Sequence, residues 1–167
     1  HKEYRRQRQM CIRDRHQRMS FNYSNFKKCK KLFVIGESHA LSSHSLYVQR
    51  ANEEFLCKSL LIQGCTQWNL GNKKMNKYKR KFENIFKSLP KSSVILLAIG
   101  EIDCRINTGI IKYKDKFPEK DLHDLITSTI VNYLNYIDYV NNGLNNKICI
   151  QGCLLYTSPS PRDVEES

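Results

Sequence analysis

Apolar positions along the chain fall into short runs that end at glycine. Longer segments between them repeat their apolar positions every three or four residues. Leu32-Phe33-Val34-Ile35 is apolar throughout and closes at Gly36, as in a buried parallel strand that runs into a tight turn. Phe55 to Ile62 repeats this and closes at Gly64. Ser93 to Ile99, the most apolar run, closes at Gly100, and Lys147 to Gln151 begins a fourth strand. Ser38 to Arg50 reads as a helix entered through polar capping residues. Asn72 to Leu89 reads as a charged helix with Met75, Tyr78, Phe82, Ile85 and Phe86 on one face, stopped at Pro90. After a loop to about Pro118, a long helix is predicted over Glu119 to Val140 and ends at Asn142-Gly143. Its apolar stripe is Leu122, Leu125, Ile126, Ile130, Tyr133, Leu134 and Ile137. Three strand–helix repeats and a closing strand predict a single α/β domain with a doubly wound parallel sheet.

The two ends of the chain change which residues belong to that domain. Met10-Cys11-Ile12-Arg13-Asp14 can be encoded by ATG TGT ATA AGA GAC, and Cys153-Leu154-Leu155-Tyr156-Thr157 by TGT CTC TTA TAC ACA. The second string is the reverse complement of one that lies inside the first once a base is added. Natural termini have no reason to be inverted repeats in DNA, whereas fragments tagged at both ends by a transposase carry them by construction. Residues 1–15 and 153–167 are therefore expected to be translated sequencing adapter and are set aside from fold reasoning. Residues 16–152 are expected to be a truncated natural domain, with Met19 a candidate start and the gene continuing past Gly152.

Charge and cysteine content narrow the function classes. The chain has 28 Lys and Arg against 16 Asp and Glu, a formal net charge of +12, and it stays basic without the two ends. A basic balance can mark a nucleic-acid partner. Here Lys alternates with Asn and Ile throughout, which reads as the coding bias of an AT-rich genome, so nucleic acid is not expected as a partner. No apolar stretch reaches the roughly 18–20 residues of a membrane span, so no membrane partner is expected either. Cys29, Cys57, Cys65, Cys104 and Cys149 lie outside the two ends and show no CxxC spacing. No metal, other cofactor or disulfide framework is expected from them, and a cytoplasmic setting is favoured.

In open α/β sheets, sites form beyond the carboxyl ends of the strands. Three segments fall there: Gly36-Glu37-Ser38-His39, Gly64-Cys65-Thr66-Gln67-Trp68-Asn69-Leu70 and Gly100-Glu101-Ile102-Asp103-Cys104-Arg105. A serine at a strand-to-helix turn stands clear of the sheet near a helix N-terminus, which suits attack on a carbonyl. It also suits plain helix capping. With G-E-S-H after the first strand and G-E-I-D-C-R after the third, the chain resembles the SGNH (GDSL-like) hydrolases, in an uncharacterised branch with GDSH- and GEIDCR-like blocks. The resemblance covers about residues 32–152. It implies a three-layer flavodoxin-like parallel sheet of strand order 2-1-3-4, incomplete at the C-terminus. By that resemblance Ser38 is the nucleophile and Gly64 an oxyanion N–H donor, with Gly71 a weaker candidate.

The chain departs from the family in three places. Glu37 stands for the usual Asp. Ile102 stands where the family has an oxyanion-donating Asn, beside the matching Asp103. No D-x-x-H block supplies a base. Glu101, Asp103 and Arg105 are candidates to replace the missing amide, with Arg105 clamping a carboxylate or stabilising developing charge; a structural ion pair is the other reading. His39, His44 and His123 are poor candidates for the base. Trp68 either packs the second loop or lines a substrate groove. The resemblance implies an acyl ester as substrate, on a small molecule or a saccharide. A non-catalytic carbohydrate- or ligand-binding relative is the alternative. A flavodoxin-like nucleotide binder is disfavoured because Glu37 puts an anion where phosphate would sit.

Overall fold

In the computed structural model the described residues are 29–50, 52–105 and 107–152. The segments expected to be adapter, 1–15 and 153–167, lie outside them. The core of the domain is β1 (Lys30–Gly36), β3 (Glu53–Leu61), β4 (Val94–Ala98) and β5 (Lys147–Ile150), all parallel neighbours. These are the four strands expected from the apolar runs. The order of the whole sheet differs from the expected one, because β2 (Tyr47–Arg50) pairs antiparallel with β3 at the edge. The sheet is therefore five-stranded and mixed, in the order β2-β3-β1-β4-β5.

That edge strand corrects the helix expected over Ser38 to Arg50. Only Ser38–Ser43 is helical, as a 3-10 turn. Ser45 then takes φ +63° and reverses the chain into β2. Two hydrogen bonds anchor the reversal: Ser45 N–H donates to the Cys57 carbonyl, and Cys57 N–H to the Leu46 carbonyl. Tyr47 and Val48 favour extended backbone by their branched and aromatic side chains, and strand pairing with Leu56 and Phe55 prevails.

Four α-helices follow from the remaining segments: α1 (Gln67–Gly71), α2 (Lys77–Ser88), α3 (Ile110–Lys116) and α4 (Leu122–Asn141). The expected charged helix begins later than Asn72 because the Asn76 side chain caps it, accepting the N–H groups of Tyr78 and Lys79. Its buried apolar residues are Phe82 and Phe86, while Met75 lies outside it and is exposed. The long helix buries Leu125, Thr129, Tyr133, Tyr136 and Ile137. Leu122, Ile126, Ile130 and Leu134, four of the seven residues of the expected stripe, are exposed instead. Tyr133 and Tyr136 turn the helix by packing toward Phe82 and the sheet. The main core joins one sheet face (Phe33, Ile35, Ile95, Leu97) to Leu70, Phe82, Phe86, Tyr133 and Ile137. On the other face Val34 and Cys57 pack with Ala40 of the 3-10 turn. Among the described residues no α-helix joins this second cluster, because the segment expected to supply one forms the turn and β2. The three-layer arrangement is thus reduced to a sheet with helices on one face.

The strand register sets up the candidate site. Gly36 is level with Leu61 on β3 and Ala98 on β4. The three segments that follow these residues therefore leave the sheet at one height and share its carboxyl edge. Gly36 is required there by close approach: a Cβ on it would lie 2.3 Å from the Ala98 carbonyl oxygen.

Candidate functional site

Ser38 is exposed at the carboxyl end of β1, next to the ends of β3 and β4. The N-cap of the 3-10 turn is Glu37, without a side-chain capping bond, so Ser38 is not the helix cap that its position also suggested. The turn is held from its far side. The Ser42 hydroxyl donates to the His39 carbonyl, and the Ser59 hydroxyl donates to the Ala40 carbonyl.

Glu37 points inward. It is 2% exposed, and neither carboxylate oxygen has a hydrogen-bond partner. Burial raises its pKa above the ordinary carboxylate range, and the charge of Glu101 adds to that effect. The nearby backbone N–H groups of Ile102 and Gly100 and the side chain of His39 act in the opposite direction. Without a good hydrogen bond these amides offset only part of the desolvation.

Asp103, 4% exposed, joins the second and third segments. Its Oδ2 accepts the Gln67 N–H at 2.7 Å and its Oδ1 the Trp68 N–H at 3.2 Å. Burial pushes its carboxyl upward and these two amides pull it back. The carboxylate thus holds the start of α1, which Thr66 caps through Asn69 N–H. Gln67 completes the link by donating from Nε2 to the Ile99 carbonyl at 3.0 Å. Gly100 makes room for it: at φ +140°, a Cβ would meet Gln67 Nε2 at 2.8 Å. Gly64 adopts φ +70°, a left-handed conformation that glycine takes without strain, and directs the chain from β3 into this loop. Gly71 instead lies against Asn132 and Tyr133 of α4, where it serves helix contact.

Arg105 makes a bidentate pair with Glu101, Nε to Oε1 at 2.8 Å and Nη2 to Oε2 at 2.7 Å. Glu101 is thus the acid that holds Arg105, while Asp103 turns to the α1 amides. His39 Nδ1 lies 3.9 Å from Glu101 Oε2. Glu37, His39 and Glu101, with Ser42, Ser43, Ile99 and Gln151, line a cavity of about 190 Å³. A larger open groove of about 460 Å³ between Asp138 and Asn145 lies at the C-terminal end of α4. It contains none of the buried ionisable groups of the strand-end site, so the smaller cavity is the better candidate. His44 accepts the Ser59 N–H through Nδ1, and His123 is exposed in the first turn of α4. Trp68 packs against Tyr113, with ring centroids 4.6 Å apart.

No protein-family model, curated protein or solved structure matches this chain. The site therefore rests on its own chemistry. Sequence reasoning gave no individual role to Gln67, nor to Cys65 and Tyr133, which pack in the core. Cys65 is fully buried, with its thiol pushed up to about 12 by burial and by the charges of Asp103 and Glu37. Tyr133 is buried with an unpartnered hydroxyl, and burial raises its pKa strongly. The only signal for Gln67 was its place in a polar loop. Cys65 and Tyr133 looked like ordinary apolar positions. Among the described residues no helix is long and apolar enough to cross a membrane.

Proposed function

We propose that this domain is a serine hydrolase of SGNH type acting on an acyl ester, on a small molecule or a saccharide, with Ser38 as its nucleophile. The observation that carries the reading is the exposure of Ser38 at the end of the central strand β1, outside the capping role. In this proposal a general base takes the Ser38 proton as its oxygen attacks the ester carbonyl, and the Gly64 N–H stabilises the oxyanion. The C–O bond to the alcohol breaks as the base returns the proton to it, and water then releases the acid from the serine ester. Ile102 removes the side-chain donor expected in that block. One such donor typically lowers the barrier by about 2.7–4 kcal/mol. Arg105, braced by Glu101, is the positive group nearest in sequence to replace it. Asp103 acts as a positioning residue by fixing the second loop. The thiols of Cys57, Cys65 and Cys149 suit a reducing, cytoplasmic compartment.

A second reading is a non-catalytic carbohydrate- or ligand-binding domain of similar architecture. Ile102 in place of the family's donor Asn favours it. The two readings separate on the full product of the gene that encodes residues 16–152. The hydrolase reading expects hydrolysis of small acyl esters that Ser38→Ala abolishes with the fold intact, and little or no turnover by residues 1–167 alone. A product that binds a saccharide without turning over esters supports the second reading.

A further inference from the structure

We propose that Glu37, His39 and Glu101 form a binding site for a divalent metal ion at the carboxyl ends of β1 and β4. This goes beyond the hydrolase reading and does not depend on Ser38. One candidate ligand atom from each of the three residues lies within 4.8 Å of the other two. Atoms bound to one ion at about 2.1 Å are about 3.0 Å apart at a right angle and about 3.4 Å apart in a tetrahedron. Side-chain shifts of about 1 Å therefore close the set around an ion.

A separate observation points to a ligand here. Glu37 is almost wholly buried, both its oxygens are unpartnered, and it lines the cavity together with His39 and Glu101. A buried carboxylate is strongly disfavoured as an anion unless a counter-charge faces it. The guanidinium of Arg105 contacts Glu101. A cation between the two carboxylates supplies that counter-charge.

The donor set is two carboxylates and one imidazole, which suits a divalent ion such as Mn2+ or Zn2+ and gives no preference to soft, thiolate-seeking ions. Arg105 is compatible with the site. Ligating carboxylates are commonly held by hydrogen bonds from outside, and the bidentate guanidinium fixes Glu101 in that manner. Gln151 lines the same cavity and can add an amide oxygen or hold a bound water. The second acidic group, Asp121, His123 and Asp124, is fully exposed, and Asp121 is engaged in capping α4. Nothing there points to a ligand. The ligands of the proposed site come from turns after two different strands, so no linear motif announces them.

The test is titration of the full chain with Mn2+, following free Mn2+ by electron paramagnetic resonance. Mn2+ is chosen because thiolates compete for it poorly. A single saturable site is expected, weakened at least tenfold by Glu37→Gln and by His39→Ala. Because His39 is exposed, His39→Ala keeps the test valid if the Glu37 variant fails to fold. Arg105→Lys is expected to weaken binding by about tenfold, as loss of a supporting hydrogen bond does. Ser38→Ala is expected to leave Mn2+ binding unchanged, so failure of the metal site and failure of the hydrolase reading are distinguishable. Absence of saturable binding would overturn the proposal. So would binding that survives His39→Ala, or binding lost on His123→Ala instead.

Discussion

Ser38 and Asp103 stand at neighbouring strand ends and differ in almost every physical respect. Ser38 is exposed and outside the capping network, so Ser38→Ala is expected to change stability by no more than about 0.5 kcal/mol, as at ordinary surface positions. Asp103 is buried and holds two backbone N–H groups. Asp103→Ala leaves both without an acceptor and is expected to cost about 1–3 kcal/mol in urea denaturation. Asp103→Asn retains one acceptor and is expected to cost less; equal stability of all three proteins would contradict the bracing role. The strand-end position of these residues was legible in sequence, because apolar runs closing at glycine mark where strands finish. The inward turn of Glu37 was not. A charged residue beside a catalytic-looking serine reads as exposed, and only the close contact of Gly36 with Ala98 and the packing of Ala40 fix its direction.

At the level of elements, sequence pattern succeeded where one force dominates and failed where two compete. The four parallel strands are built on apolar runs, interrupted in β3 by Lys58 and Ser59, and α2 has Phe82 and Phe86 a turn apart with stacked rings. The segment from Ser38 to Arg50 has no such dominant signal. Its polar residues suit a helix start, while Tyr47 and Val48 suit an edge strand, and pairing with β3 decides between them. The short α1 and α3 escaped notice because five and seven residues are too few to display a period. On α4 the spacing was correct but the buried face was rotated, since aromatic Tyr133 and Tyr136 outweigh the aliphatic stripe. Capping offers a direct check on how α2 begins. Asn76→Ala removes the acceptor for Tyr78 and Lys79 and the Asn76 Nδ2 bond to the Asn69 carbonyl. A loss of about 1–2 kcal/mol is expected, read as a lower urea midpoint at unchanged slope.

Across the whole molecule, the level register of β1, β3 and β4 gathers three polar segments into one site. Gly36→Ala tests that geometry, because the added methyl forces β1 and β4 apart. A destabilisation of about 1–3 kcal/mol is expected, accompanied by weaker Mn2+ binding as Glu37 and Glu101 separate. A variant as stable as the parent chain and binding as tightly would mean that the close strand approach is not what positions the site. The most direct test of the proposed chemistry is reaction of the full product of the gene that encodes residues 16–152 with a serine-directed phosphonate, followed by peptide mapping. A single adduct on Ser38, absent in Ser38→Ala, is expected. An unlabelled Ser38 in a folded protein that still binds a saccharide would contradict the hydrolase reading.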